Sequence, residues 1–342
     1  MKPFVYSALP TRIVFGRGKI SEAANEAMRL GMKRPLIITT HQQGDSGRHL
    51  SASTGGLAFA GAAMHTPTNV TDQAMVIVIA ESCDGTIALG GGSSTGLGKA
   101  IALRTDLPQL VIPTSYAGSE MTNILGETQD GAKTTKRDAK IQPETVIYDP
   151  ELLATLPDKF AATSGMNAIA HAVEGLYAID GNPIASLMAE EGIRALASAL
   201  PKGKAGHDEA LHGAWLCGAV LGSVSMALHH KLCHVLGGSF DLPHAETHTV
   251  VLPHATAYNA TSTEAMIRIA RALGTSTAAG GLYDLAKSLG APLTLKELGM
   301  PEEGLDKAAD IAAANPYPNP RAIERAAVRE LLDNAFHGRR PN

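Results

Sequence analysis

The sequence predicts an α/β domain followed by an all-helical domain, and three of its features make that prediction. Short β-branched runs alternate with helical stretches up to about residue 150. A glycine-rich turn joins one of these runs directly to a helix. After Pro157 the apolar residues recur at intervals of three and four, and convincing strands disappear.

In chain order, the strand-like runs are "TRIVF", "RPLIITT", "DGTIALGGG", "LPQLVIPTS" and "PETVIYDP". Each is rich in Val, Ile or Leu, and the gaps between them leave room for helices, which is the pattern of parallel βαβ units. Helical periodicity then carries through "KFAATSGMNAIAHAVEGLYA", "HDEALHGAWLCGAVLGSVSMALHH" and "RAIERAAVRELLDNAF". The boundary falls between Asp149 and Pro157, giving domains over residues 1–154 and 155–342. With no repeat, low-complexity tail or long linker, the two domains are expected to face each other across a cleft.

Composition narrows the function. A chain of 342 residues with 44% hydrophobic and 18% charged residues can bury a sizeable core, as a globular enzyme does. A net charge of -4 and a pI near 6.3 supply no extended basic footprint, so neither nucleic acid nor an anionic membrane is an expected partner. The N-terminal "MKPFVYSALPTRIVF" is interrupted by Pro3 and Pro10 and reads neither as a signal peptide nor as a membrane span, so a cytoplasmic protein is expected. Cys83, Cys217 and Cys233 are odd in number and widely spaced. They are expected to be buried thiols rather than a disulfide framework or a zinc ribbon.

In "TIALGGGSSTGLGKAIAL" the order is strand, glycine turn, helix. Gly90, Gly91 and Gly92 permit close backbone approach, and the helix that follows begins with amides that have no partner of their own, the geometry that binds phosphate. The usual dinucleotide fingerprint fails, because Thr95 stands where its third glycine belongs, and the Walker pattern fails at Ala100. A tight structural turn is the competing reading. A second polar loop, "PTSYAGSEMTN", offers Thr114, Ser115, Ser119 and Thr122, hydroxyls that serve either a dinucleotide or their own backbone. At the end of "RPLIITT", Thr39 and Thr40 stand where a carboxylate would repel a 2'-phosphate, so both NADH and NADPH are compatible.

The histidines carry the other signal. Asn167 and His171 in "SGMNAIAHAVEG" lie four apart on one helix face, and His230 and His234 in "HHKLCH" repeat the spacing. His244 follows after "VLGGSFDLP", a glycine-bearing segment able to turn the chain back and present it from a loop. Any one of these is explained as a satisfied core histidine; several together suggest one pocket. His171, His230 and His244 could suit Zn²⁺ with an open fourth position, but a neutral asparagine at 167 is a weak ligand, and the pattern leans away from a tightly held metal. "HAETH" is not a zinc-protease motif, since its Glu is misplaced; Glu246 and His248 read as supporting or surface groups. Lys231 is either an exposed helix residue or an ammonium that attracts an anionic substrate.

"GGGS" after a strand, "DPELLATLP", "SGMNAIAHAVEG" and "HHKLCHVLGGSFDLPHAETH" resemble the iron-containing alcohol dehydrogenase superfamily, and within it the maleylacetate reductase branch. The resemblance runs from "RIVFG" to "NPYPNPRAIERAAVRELL". It implies a Rossmann-like dinucleotide-binding domain, a helical catalytic domain of the dehydroquinate synthase-like architecture, a nicotinamide cofactor and a homodimer. Metal-dependent members hold Fe²⁺ or Zn²⁺ with one Asp and three His, positions that correspond to Asn167, His171, His230 and His244; the asparagine implies the metal-free branch. The resemblance also matches Gly91, Gly92 and Ser93 to the pyrophosphate, Thr114 and Ser115 to the ribose or nicotinamide, Lys133 to the cofactor, and His234 to the nicotinamide. The implied reaction is NAD(P)H-dependent reduction of the carbon–carbon double bond of maleylacetate to 3-oxoadipate. Catalysis would fall to His171, His230, His234, His244 and Asn167, with Lys231 holding a carboxylate and Arg137 or Arg321 as further candidates for the second one. The alternatives are a metal-dependent alcohol dehydrogenase or aldehyde reductase on the same fold, and a non-catalytic nucleotide-binding protein.

Overall fold

The computed structural model describes residues 3–129, 132–315 and 317–342; of Ala132 and Lys133 it describes the backbone alone. The chain forms two compact units, Ala8–Leu156 and Pro157–Asn342, the latter joined by the N-terminal residues up to Ser7.

In the first unit β1 (Arg12–Phe15), α1 (Ala23–Arg29), β2 (Leu36–Ile38), α2 (Gly44–Thr54), β3 (Leu57–Phe59), α3 (Thr68–Ala80), β4 (Thr86–Gly90), α4 (Gly92–Thr105) and β5 (Gln109–Pro113) follow one another. An antiparallel hairpin of β6 (Ile124–Gln129) and β7 (Ala132–Arg137) intervenes before β8 (Thr145–Tyr148). Six strands form one parallel sheet in the order β1-β8-β5-β4-β2-β3. The period-two alternation of a strand is visible in β2. Leu36 and Ile38 join Val78, Leu97 and Ile101 in one core cluster, while Ile37 joins Ile87, Leu89, Leu110 and Ile112 in another. With both faces covered, β4 and β5 are buried throughout, and therefore read in sequence as unbroken apolar runs.

The five expected strands are β1, β2, β4, β5 and β8. Three elements were not anticipated. β3 is a three-residue, partly exposed edge strand, and β6 and β7 are rich in Thr, Lys and Gln. Pairing of Gly90 with Pro113 brings the glycine turn and the loop after β5 side by side.

The second unit is helical: α5 (Asp158–Leu176), α6 (Pro183–Ala199), α7 (His207–Ser223), α8 (Leu228–Phe240), α9 (His244–Tyr258), α10 (Thr263–Leu273), α11 (Ala278–Ser288), α12 (Gly304–Ala313) and α13 (Arg325–His337). Helix α5 is buried from Ala162 through Gly175. Small residues allow this, since a Cβ on Gly175 would stand 2.2 Å from Val220 Cγ1. Leu228, Leu232 and Leu236 of α8, at helical spacing, enter a core with Val250 and Val251 of α9, Leu305 of α12 and Leu332 of α13. The run "HDEALHGAWLCGAVLGSVSMALHH" divides here, α7 ending where Val224 turns extended. Another expectation is corrected as well. Helix α8 continues through Gly237 and Gly238, and the chain turns at Asp241, which is left-handed at φ 53. His244 is thus the first residue of α9 rather than a loop residue. Among the described residues no single helix is long and apolar enough to cross a membrane.

Candidate active site

In the first unit the glycine turn is shaped as a cradle. Helix α4 opens at Gly92 with Gly91 extended before it and no side chain capping its first amides, which leaves them for an anion. A Cβ on Gly92 would meet nothing within 4 Å, so the backbone faces open space there. Gly90 is required by conformation as well as by room: its φ is +147, and a Cβ would lie 2.4 Å from Ser94 Oγ. Thr114 ties the neighbouring loop to this turn, its N–H donating to Gly90 O at 3.0 Å and its hydroxyl accepting from Gln43 Nε2 at 2.8 Å. Ser93, Thr114 and Ser115 are partly exposed around the turn. These features fit the pyrophosphate of a nicotinamide dinucleotide.

Thr122, with the backbone carbonyl of Ser119, does other work. The fully buried Lys99 ammonium donates to Ser119 O and Thr122 O, both at 2.6 Å, to Thr122 Oγ1 at 2.9 Å and to Ile124 O at 3.0 Å. The Thr122 hydroxyl is therefore committed to an internal lysine, which burial pushes down to about 7. Lys133 pairs through its backbone with Thr128, and its side chain is outside the described residues. Thr39 is buried and Thr40 partly so.

The second unit gathers the histidines. His171 Nδ1 lies 2.9 Å from His230 Nε2, and His230 Nδ1 lies 2.7 Å from Glu174 Oε2. Glu174, on α5, reaches the start of α8 and accepts N–H bonds from Ala227 at 2.8 Å, His229 at 2.9 Å and His230 at 3.4 Å. It caps a helix whose own residues supply no side-chain cap. Burial alone would raise this carboxyl, but the His230 hydrogen bond, the electrostatic influence of the neighbouring His230 and His229 rings and the Ala227 amide overcome it, and the group is held at about 2. A second pair lies alongside, with His229 Nε2 2.9 Å from His248 Nδ1 and Cys233 Sγ 3.7 Å from the same His229 nitrogen. Burial pushes His229 down to about 3 and His248 well below its usual range, so both are neutral. His248 joins the two pairs, its ring centroid 5.0 Å from His230 and 4.4 Å from His244. His234 and His244 are the exposed members.

Whether these residues would hold a metal is decided by their nitrogen atoms. A carboxylate behind a histidine also occurs behind metal ligands, so Glu174 alone settles nothing. His230 Nε2 and His171 Nδ1, however, are within hydrogen-bond distance, so the two rings bind each other, one donating and one accepting, instead of offering two lone pairs to one ion. Asn167 is 4% exposed and its Oδ1 has no hydrogen-bond partner, but it carries no charge. The arrangement does not fit a resident cation. One other group among the described residues has ligand spacing, His229, Cys233 and His248. There burial and the Glu174 charge raise the Cys233 thiol well above its usual range and keep it protonated.

The structure thus brings Asn167 and His171 onto one buried face of α5, and His230 and His234 onto α8. Lys231 is partly exposed, and its ammonium forms no hydrogen bond or ion pair among the described residues. Arg137 is exposed in the other unit and bonds Asn123 Oδ1, while Arg321 stacks on the Tyr258 ring at 4.3 Å. Two participants were missed, Glu174 and His229. His248, expected as a supporting or surface group, is completely buried against His229, which removes the surface reading. The signal for Glu174 was its place, seven residues after Asn167 on the same helix face.

Two family models match the chain: iron-containing alcohol dehydrogenase over residues 10–150, and the C-terminal part of the Fe-containing alcohol dehydrogenase family over residues 161–336. The chain is 53% identical to a maleylacetate reductase of Burkholderia cepacia and 54% identical to one of Rhizobium sp., each over 100% of both proteins. The crystal structure of maleylacetate reductase from Agrobacterium tumefaciens superimposes with a TM-score of 0.96 at 52% identity, over 100% of both chains.

Proposed function

The chain belongs to the iron-containing alcohol dehydrogenase family, and from that premise we propose that it reduces the carbon–carbon double bond of maleylacetate to give 3-oxoadipate, in the catabolism of aromatic compounds. NADH or NADPH is the reductant and no resident metal takes part. The observation that carries the reading is the direct contact of His171 with His230 beside an uncharged Asn167, a centre built to move protons rather than to hold an ion. The reaction suits such a centre. Hydride arriving on the carbon β to the ketone leaves an enolate, which hydrogen-bond donors stabilise.

When bound, the nicotinamide supplies the hydride. Gly90, Gly91, Gly92 and Ser93 at the head of α4 would hold its pyrophosphate, with Thr114, Ser115 and Lys133 as further contacts. Imidazole N–H groups from His171, His234 and His244 hydrogen-bond the ketone oxygen and deliver the proton, and His230, engaged through both ring nitrogens, relays through His171. The electron pair of the enolate forms the new C–H bond at the α carbon, and the donor nitrogen keeps the pair it shared with that proton. Lys231 receives one carboxylate of the substrate. The alternative of a metal-dependent alcohol dehydrogenase is not favoured, since the pocket lacks the charged ligand that reading needs.

The three cysteines are free and buried, which supports a cytoplasmic setting, and a homodimer is proposed from the family resemblance. Adding maleylacetate to purified protein with NADH or NADPH is expected to consume reduced cofactor; no rate above background overturns the assignment. One equivalent of Fe or Zn in the active protein, with activity abolished by EDTA, overturns the metal-free part.

A further inference from the structure

We infer that Glu174 is a positioning residue for the reduction, fixing the proton positions of His230 and His171 in series so that His171 Nε2 is the nitrogen that carries the transferable proton. This rests on the reductase reading above. A carboxylate held by three amides is ionised and can only accept, so the 2.7 Å contact makes His230 Nδ1 the donor. A neutral His230 protonated at Nδ1 has its lone pair at Nε2. That lone pair is 2.9 Å from His171 Nδ1, which must therefore carry a proton. The lone pair of His171 is left at Nε2, where a further proton would be carried, with the Glu174 charge at the far end of the same series to balance it.

The device is rigid at every link. Glu174 is completely buried, and its carboxylate is clamped by the α8 amides as well as by the imidazole. His171 and His230 are 3% and 7% exposed. In each turnover His171 Nε2–H gives its proton to the α carbon of the enolate, whose electron pair becomes the C–H bond; the nitrogen recovers its lone pair and is reprotonated from solvent.

Replacing the carboxylate by an amide of the same shape tests this. In Glu174→Gln the amide oxygen at the Oε1 position keeps the His229 N–H, while the NH₂ at the Oε2 position faces His230 Nδ1 at the cost of the Ala227 N–H bond, and both histidine tautomers reverse. The variant is expected to fold and to bind NADH as the parent does. Its kcat should fall at least about tenfold, within the range general acid–base groups contribute, with KM for maleylacetate within about a factor of two. Proton delivery then limits the rate, so the solvent isotope effect on kcat rises and the isotope effect from deuterated NADH shrinks. Glu174→Asp, which keeps the charge, should recover part of the rate. A folded Glu174→Gln enzyme with parental kcat and isotope effects overturns the inference. Should that variant fail to fold, His230→Gln interrupts the same series without removing the cap of α8. It must show the same isotope signature, and parental behaviour there is equally fatal. A parent enzyme inactive on maleylacetate would instead refute the proposed function.

Discussion

Placing a carboxylate at position 167 should convert the centre into a metal site, and the size of the change can be worked from the contacts. Asn167 is 4% exposed with its Oδ1 lacking a partner, so Asn167→Asp puts an ionisable group where little water reaches it. Without a cation the new acid stays protonated or costs about 1–3 kcal/mol as an uncompensated buried group. At about 2.1 cal/mol/K per residue, a chain of 342 residues shifts its unfolding midpoint by about 1.4 °C per kcal/mol. Metal binding must also break the 2.9 Å hydrogen bond between His171 and His230, worth about 1 kcal/mol net. Against this, a cation at a hundred times its Kd stabilises the fold by about 2.7 kcal/mol. The expected result is a variant that melts about 1–4 °C below the parent in EDTA, recovers in Zn²⁺ and retains about one equivalent of metal after gel filtration, while the parent's midpoint ignores Zn²⁺. Calorimetry with metal analysis reads both. If parent and variant respond to Zn²⁺ alike, the side chains do not converge as described and the reasoning fails.

Three further outcomes are expected. Gly92→Ala should leave the unfolding midpoint unchanged, because a Cβ there meets nothing within 4 Å, yet raise KM for NADH by obstructing backbone approach to the pyrophosphate; Gly90→Ala should instead cost about 1–3 kcal/mol of stability through its positive φ. Lys231→Met should raise KM for maleylacetate about fivefold, the worth of about 1 kcal/mol for a partly exposed charge pair, at constant kcat. His254 is held down to about 4 by burial, against 6.5 in the unfolded chain, so only the unfolded chain takes up that proton between those values, and stability falls as pH drops through the window. Denaturant melts of His254→Phe across pH 4 to 6.5 should show a shallower acid slope than the parent.

The sheet was legible where burial on both faces makes a strand uniformly apolar, as in "TIALG" and "QLVIP", and illegible where it does not. β3 is "LAF" between glycines at a sheet edge, and β6 pairs "ILGETQ" with the charged β7, so neither shows the pattern that marked the others. The helical spacing of Asn167 with His171 and of His230 with His234 was visible because it is local. What hid Glu174 is that, apart from His230 Nδ1, its partners are backbone amides at the start of α8, more than fifty residues away, which carry no sequence signal. His229 was hidden differently. It neighbours His230 in sequence but points along another face of α8, toward His248, and only the packing of α8 against α9 makes that a pair. Thr122 shows the opposite error: a hydroxyl in a polar glycine loop resembles a cofactor ligand until the buried Lys99 is seen beneath it.

The location of negative charge separates the two chemistries this scaffold could perform. A carboxylate at 167 would share a cation with the imidazoles and leave them bound as ligands, their lone pairs spent. Here the only carboxylate that touches His230 among the described residues is Glu174, on the side of the ring facing away from His171. From that side it cannot neutralise an ion that His171 and His230 would share. It can stabilise a proton passing along them, because each transfer moves positive charge within reach of a fixed anion. Asn167 contributes by remaining neutral, since a second carboxylate one turn before His171 would compete with Glu174 for that proton. Asn167→Asp without metal and Glu174→Gln should therefore impair proton delivery by opposite means, one by adding a competing anion and the other by removing the resident one. In the double variant the two effects should not add, because both act on the same two rings.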